Sequence, residues 1–135
     1  MKYKHKVQYY ETDKMGIVHH SNYIRWMEEA RVDFLERIGA PFEKLEEMGL
    51  LCPVAEVNCK YVGMVRFGET VTINAVLREF GGVKMLVGYT MTHADGKVCC
   101  EAESRHCFIY GERVINLRKK FPELYEKFVP YIEAE

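Results

Sequence analysis

Hydrophobic and polar positions along this chain repeat with two different periods. Residues 3–10 alternate with a period of two, with Tyr3, His5, Val7 and Tyr9 on one side, which predicts a strand with one polar face. From residue 21 to 38 the period becomes helical. The apolar stripe of this predicted helix consists of Tyr23, Met27, Ala30, Phe34 and Ile38, widened by Ile24, Trp26 and Leu35.

Capping residues set the ends of the predicted helices. Ser21 is suited to the N-cap of the long helix, and Gly39 is suited to the position just after its end. A short second helix is predicted after Pro41, over Phe42 to Met48. A further helix is predicted after Pro122, running through Leu124, Tyr125 and Phe128.

The middle of the chain is predicted to be a β-meander. Its strands cover 52–66, with a bend at Gly63, and then 69–79, 83–93 and 97–110. Phe67-Gly68, Gly81-Gly82 and Asp95-Gly96 supply the turns, with Gly81-Gly82 fitting a two-residue hairpin. Because the broad helix stripe and one sheet face both need burial, we predict an α+β fold. In it, one long central helix lies across a curled antiparallel sheet of about five strands.

Composition narrows the class of protein. The length of 135 residues predicts a single domain spanning 1–135, and the net charge of −1 argues against a nucleic-acid partner bound by bulk positive charge. No apolar run is long enough to span a bilayer, and no signal peptide is evident, so we expect a cytoplasmic protein. The five cysteines are odd in number and lack a Cys-x-x-Cys pair, which favours reduced thiols over a metal site.

The candidate catalytic residues lie between Asp13 and Tyr23. This segment places one carboxylate, a glycine and a histidine pair directly before the long helix. A helix start presents unpaired N–H groups, and a carboxylate beside such donors suits acyl transfer, which needs an attacking or water-activating group and an oxyanion site. The alternative is that Asp13 only caps a turn through an Asx hydrogen bond.

These residues resemble a known family. The stretch from Tyr10 to Tyr23, continuing through Trp26–Arg31, resembles the signature of the hydroxybenzoyl-CoA thioesterase branch of the hotdog fold, and Arg66–Glu69 resembles that family's turn. The resemblance implies that Asp13 is the catalytic carboxylate and that Gly16 turns the chain into the helix. It also implies that the backbone N–H of His20 polarises the thioester carbonyl.

The chain departs from that signature at a few positions. His19 stands where an aromatic residue is common, and Lys14-Met15 replace small residues, which would reshape the mouth of a pocket. Glu69 stands where the family more often has Asp. Neither the carboxylate nor the glycine of the motif is lost.

The resemblance also implies the partners. The substrate is expected to be an acyl-CoA, with no cofactor and no metal, and the active site is expected between the subunits of a homodimer or homotetramer. The predicted substrate-binding residues comprise those of the motif and three basic residues for the CoA phosphates. They are Gly16, Val18, His19, Tyr23, Lys60, Arg66 and Lys84.

Several alternatives stay open at the level of sequence. Asp13 either attacks the carbonyl directly or acts as a general base on water. Acyl length, aromaticity, and CoA versus an acyl carrier protein as thiol partner are undecided. Competing functions are a hotdog hydratase or dehydratase, whose Asp–His spacing is not found here, and a non-catalytic acyl-CoA or carrier-protein binding module.

Overall fold

The sheet is antiparallel throughout and dominated by five long strands. A computed structural model describes residues 1–133. The long strands are β1 (Lys2–Lys6), β3 (Val54–Tyr61), β4 (Thr70–Phe80), β5 (Lys84–Thr92) and β6 (Val98–Tyr110), in the spatial order β1–β4–β5–β6–β3. Two short strands, β2 (Leu50–Leu51) and β7 (Arg113–Ile115), pair with the end of β6. The predicted α+β architecture is confirmed, with two short strands more than expected.

The helices are one long element and several short ones. They are α1 (Ser21–Arg37), α2 (Phe42–Glu47), α3 (Leu117–Lys120) and α4 (Pro122–Phe128), with 3-10 turns at Tyr9–Glu11 and Val129–Tyr131. The first, second and fourth helices were predicted within one residue at each end, whereas α3 was not predicted. Within residues 1–133 no helix combines the length and apolar character needed to cross a bilayer.

Helix α1 packs its apolar stripe against the inner face of the sheet. Trp26 is fully buried, and the five stripe residues from Tyr23 to Ile38 are all buried. Alternating residues of β4, β5 and β6, such as Ile73, Val87 and Ala102, supply the opposite wall of the core. Ile24 is the exception, because its side chain is 44% exposed and does not widen the stripe.

The predicted C-terminal end of α1 is confirmed, whereas its predicted N-cap is not. Gly39 adopts φ +89° as predicted, and the N–H groups of Gly39 and Ala40 donate to the carbonyls of Glu36 and Leu35, which is a Schellman ending. The prediction of Ser21 as N-cap is wrong. His20 holds the cap position, and Ser21 is the first helical residue, its hydroxyl 2.8 Å from Nδ1 of His19.

Three strand and turn boundaries also differ from prediction. The first strand ends at Lys6 because the chain coils into a 3-10 turn, which leaves Tyr9 76% exposed rather than aligned with His5. The strand expected over 52–66 covers only Val54–Tyr61, since Pro53 has no N–H for the ladder and the chain turns at Gly63. The β4–β5 loop is longer than the predicted two residues, because Phe80 pairs with Met85.

The C-terminal segment closes one end of the core. The hydroxyl of Tyr125 donates to the carbonyl of Phe80 at 2.8 Å, and Phe128 is fully buried. The N–H of Leu117 donates to the carbonyl of Gly82 at 2.7 Å. Asn116 packs so closely on Gly82, at φ +114°, that a Cβ there would collide with the asparagine side chain. Glycine at this turn therefore permits the segment to dock.

A polar chain crosses the interior beneath α1. The hydroxyls of Tyr89 and Ser104 are 2.8 Å apart, and Ser104 Oγ lies 2.7 Å from Nε2 of His106, which is 1% exposed. Arg31 of α1 is also buried. Burial, followed by the charge of Arg31, lowers the pKa of His106 to about 4.

This shift predicts an acid-dependent stability. A histidine titrates near pH 6.5 in an unfolded chain, so between about pH 6.5 and 4 the unfolded state binds a proton that the folded state does not. The free energy of unfolding should therefore fall as pH decreases across this window, by up to about 1.4 kcal/mol per pH unit from this group. Urea unfolding of the wild type and His106→Gln at several pH values measures it. An equal slope in both proteins would contradict the assignment.

Candidate active site

The loop that carries Asp13 is a tight, hydrogen-bonded turn. Thr12 and Val18 form a backbone bridge, and inside it the N–H of Asp13 donates to the carbonyl of Ile17 at 2.9 Å. The N–H of Gly16 donates to the carbonyl of Asp13 at 3.0 Å, and Gly16 has φ +77°, where a side chain is disfavoured. The loop therefore has a defined shape and needs glycine at this position.

The carboxylate of Asp13 is held at one oxygen only. Oδ1 accepts a hydrogen bond from the N–H of Met15 at 2.8 Å, which is an Asx turn. Oδ2 has no donor among residues 1–133, and the side chain is exposed on the single chain. Asp13 therefore caps a turn, as the alternative interpretation of the sequence expected. Its Oδ2 is left free to act as a nucleophile or a base.

The start of α1 supplies a free amide. The N–H of His19 donates to the carbonyl of Glu11 at 2.9 Å, and the side-chain amide of Asn22 donates to the same carbonyl, also at 2.9 Å. The next N–H, that of His20, meets no acceptor in the described part of the chain. The Thr12–Val18 bridge closes the loop, so Asp13 lies just inside the bridge and this unpaired donor lies two residues beyond it, at the start of α1.

Aromatic rings line the same helix start. The rings of His19 and His20 are 4.2 Å apart, and Tyr61 of β3 lies 6.1 Å from His20 and 5.0 Å from Tyr23. The hydroxyl of Tyr61 donates to the carbonyl of His20 at 3.3 Å, and burial, together with nearby Cys59, raises the pKa of Tyr61 to about 12, so it remains a donor. Sequence reasoning missed Tyr61, whose place depends on the pairing of β3.

A buried carboxylate underlies the loop and was also missed. Glu11 is 3% exposed, and its side chain accepts hydrogen bonds from the N–H of Gln8, from His5 and from the indole of Trp26. Burial alone would raise the pKa of Glu11, but these hydrogen bonds outweigh it and the pKa lies below its ordinary value. The only sequence signal was its position two residues before Asp13.

The predicted site residues fall into two groups. Asp13, Gly16, Val18, His19 and His20 share the loop and helix start, and Tyr23 follows within α1. Val18 and Tyr23 are buried beneath this surface. Arg66 joins them, because Nη1 of Arg66 lies 3.9 Å from where a Cβ would stand on Gly16. In the described chain Arg66 forms no ion pair with an acid.

The other two predicted basic residues lie elsewhere on the single chain. Lys60 points to the outer face of the sheet, beside Asn58 and Glu103, opposite to the face of β3 that carries Tyr61. Lys84 pairs with Cys107, seven residues along β6 from Cys100, which pairs with Tyr61. At about 3.3 Å per residue, Lys84 is some ~23 Å along the sheet from the helix start.

Exposed apolar side chains surround the loop. Met15 is 75% exposed, and the free edge of β3 and the turn after it expose others. Patches of this kind rimmed by polar residues mark interaction sites. Around the loop and the β3 edge the patch comprises Tyr9, Tyr10, Met15, Tyr61, Val62, Met64 and Phe67.

Comparison with known proteins identifies the family. Residues 7–128 match the Thioesterase-like superfamily, and the chain belongs to it. The putative acyl-CoA thioesterase YneP of Bacillus subtilis is 35% identical over 127 residues, covering 90% of this chain and 92% of that protein. These matches confirm the resemblance drawn from the Asp13–Tyr23 motif and the assignment to the thioesterases.

Solved structures agree on the fold. A DHNA-CoA thioesterase from Staphylococcus aureus superposes with a TM-score of 0.91 at 24% identity, covering 96% of this chain and 88% of that one. The 4-hydroxybenzoyl CoA thioesterase from Pseudomonas sp. strain CBS-3 superposes with a TM-score of 0.80 at 21% identity, covering 92% and 97%. Both likenesses support the hotdog architecture.

The conformation of Gly16 generates a prediction for this site. Alanine at φ +77° should cost about 1 kcal/mol of unfolding free energy, whereas asparagine, which tolerates this region better, should cost less. Denaturant unfolding of Gly16→Ala and Gly16→Asn measures the difference. Equal stability of the two variants would show that the loop does not keep this backbone conformation.

Proposed function

We propose that this protein hydrolyses acyl-CoA thioesters to a free acid and CoA, with Asp13 as the acting carboxylate. The observation that carries the proposal is that a half-free carboxylate and the unpaired N–H of His20 stand on either side of one hydrogen-bonded turn. A preorganised donor of this kind is worth roughly 3 kcal/mol in the barrier of an acyl-transfer reaction.

In the proposed reaction the thioester carbonyl oxygen lies against the His20 N–H. The carbonyl carbon is then attacked by Oδ2 of Asp13, or by a water from which Asp13 takes the proton. Negative charge develops on the carbonyl oxygen and is stabilised by the amide and by the dipole at the start of α1. Collapse expels the CoA thiolate, which leaves as thiol after protonation. After direct attack the acyl group remains on Asp13 as a mixed anhydride, which a water molecule then hydrolyses to the free acid and the regenerated carboxylate. The water route gives the same acid and CoA in one displacement.

The proposal places the site at an interface between two copies of the chain. In the described chain the edge of β3 away from β6 is unpaired, and apolar side chains beside it are exposed. An edge of this kind invites pairing with another strand. We therefore propose a homodimer joined through β3, with further pairing into a tetramer as the larger alternative.

Such a dimer would also account for the distant lysine. If β3 pairs antiparallel with its copy, the Val54 end of one strand lies beside the Tyr61 end of the other. Lys84 shares the Val54 end of the sheet, because Lys84 pairs with Cys107 and Val54 pairs with His106. The CoA phosphates would then be bound by Arg66 of one protomer and Lys84 of its partner.

Asp13→Asn is the direct test of the function. Asparagine retains an oxygen for the Met15 N–H but cannot attack or accept a proton, so thiol release should fall at least about a hundredfold. Free thiol is measured with a panel of short, long and aromatic acyl-CoAs. Asp95→Asn is the matched control, since Asp95 makes the same Asx turn, onto the N–H of Lys97, and should retain full activity.

Two results would reject the assignment. Near wild-type turnover in Asp13→Asn would remove this residue from the mechanism. Hydration of crotonyl-CoA without thiol release would identify a hydratase, and binding of acyl-CoA without any turnover would identify a binding module.

Assembly is tested by mass in solution. Light scattering at an active concentration should give at least twice the 15.8 kDa mass of the chain. A monomeric mass in a fully active sample would contradict a site built between subunits.

A further inference from the structure

We propose that Glu11 is a positioning residue that sets the distance between the Asp13 carboxylate and the His20 amide. The inference deepens the proposed function and rests on it. Glu11 lies two residues before Asp13, contacts the helix through both its side chain and its backbone, and does not touch the expected substrate position.

The side chain of Glu11 joins three parts of the chain. Oε1 lies 2.8 Å from Nε2 of His5 on β1 and accepts from the N–H of Gln8 at 2.8 Å. Oε2 accepts from the indole N–H of Trp26, in the second turn of α1, at 2.6 Å. Three donors from a strand, a turn and a helix therefore converge on one buried carboxylate.

The backbone of Glu11 holds the other side of the turn. Its carbonyl accepts from the N–H of His19 and from the side chain of Asn22, so one residue on each side of His20 is tied to Glu11. The carboxylate of Glu11 is anchored to the body of α1, and its carbonyl is anchored to the first turn. A shift of Glu11 would thus move Asp13 relative to the free amide.

His5 fixes Glu11 from behind. Its Nδ1 lies 3.0 Å from Oε1 of Glu29, which also accepts from the hydroxyl of Tyr3 at 2.8 Å. The ring stacks against Trp26 at a centroid distance of 4.8 Å. The two ring nitrogens of His5 therefore face one carboxylate each, Nε2 toward Glu11 and Nδ1 toward Glu29. This arrangement holds the carboxylate in one position.

Stability alone gives little reason for this carboxylate. Burying a carboxylate costs solvation free energy that a well-packed apolar side chain would not incur, and such a group is best explained where it defines a geometry. At Glu11 the geometry defined is that of the turn beside the proposed site.

The test compares Glu11→Gln with Glu29→Gln. Glutamine at position 11 would place its NH2 group against at least one of the three donors, so Glu11→Gln should loosen the turn. Glu29→Gln is the control, because it removes the other carboxylate partner of His5 and leaves the loop contacts intact. We expect kcat to fall at least tenfold in Glu11→Gln with KM changed less than threefold, and kcat to stay within twofold in Glu29→Gln. Amide exchange of His19, measured by hydrogen–deuterium exchange, should accelerate at least tenfold in Glu11→Gln only.

A double variant separates positioning from general destabilisation. In an Asp13→Asn background there is no carboxylate left to position, so Glu11→Gln should cause little further loss of activity. Trp26→Phe removes one donor while keeping an aromatic ring, and should give a smaller loss of kcat if Glu11→Gln does not fold.

Each outcome decides the proposal. Unchanged His19 exchange in Glu11→Gln overturns it, whether or not the protein is a thioesterase. Equal losses in Glu11→Gln and Glu29→Gln, or a full additive loss with Asp13→Asn, also overturn it. Accelerated exchange in a protein that releases no thiol from any acyl-CoA would reject the proposed function while leaving Glu11 as the residue that positions the turn.

Discussion

Burial of the apolar face of α1 is the interaction on which the rest of this structure depends. A helix of 17 residues with its stripe in water is not stable alone, and full burial of each large apolar side chain contributes roughly 1.5–3 kcal/mol. The sheet must therefore curl around α1 for either element to form. Once α1 is seated, the position of its first turn is set, and with it the place where a free amide meets the Asp13 loop.

The same burial explains how much of the fold could be predicted. The strand predicted over 69–79 is confirmed as β4, in which Val71, Ile73, Ala75 and Leu77 are all buried because one face of the strand meets the core. Errors lie where burial gives no information. The first strand ends early and β3 is short because local hydrogen bonding and Pro53 decide those boundaries, while Ile24 is apolar and yet faces outward.

Hydrophobic patterning predicts less of the candidate site than of the fold. The Asp13 motif was found through its likeness to a family, and the turn that frees one oxygen of its carboxylate depends on backbone geometry. Hydropathy places charged residues on the outside, so it could not reveal buried Glu11, Arg31 or His106. Lys60 and Lys84 were chosen for charge alone. The pleat turns Lys60 away from Tyr61, and the register of β5 sets Lys84 at the far end of the sheet.

The filled interior between α1 and the sheet affects where this chain can accept substitutions. Trp26, Tyr89, Phe108 and Phe128 are buried between α1, the sheet and the C-terminal segment, so among residues 1–133 large side chains fill that space. Under the proposed function, acyl selectivity would then depend on surface residues around the Asp13 turn. Exposed side chains there, such as that of Met15, bury little apolar area, so substitutions at them could change the acyl preference while the buried scaffold is kept.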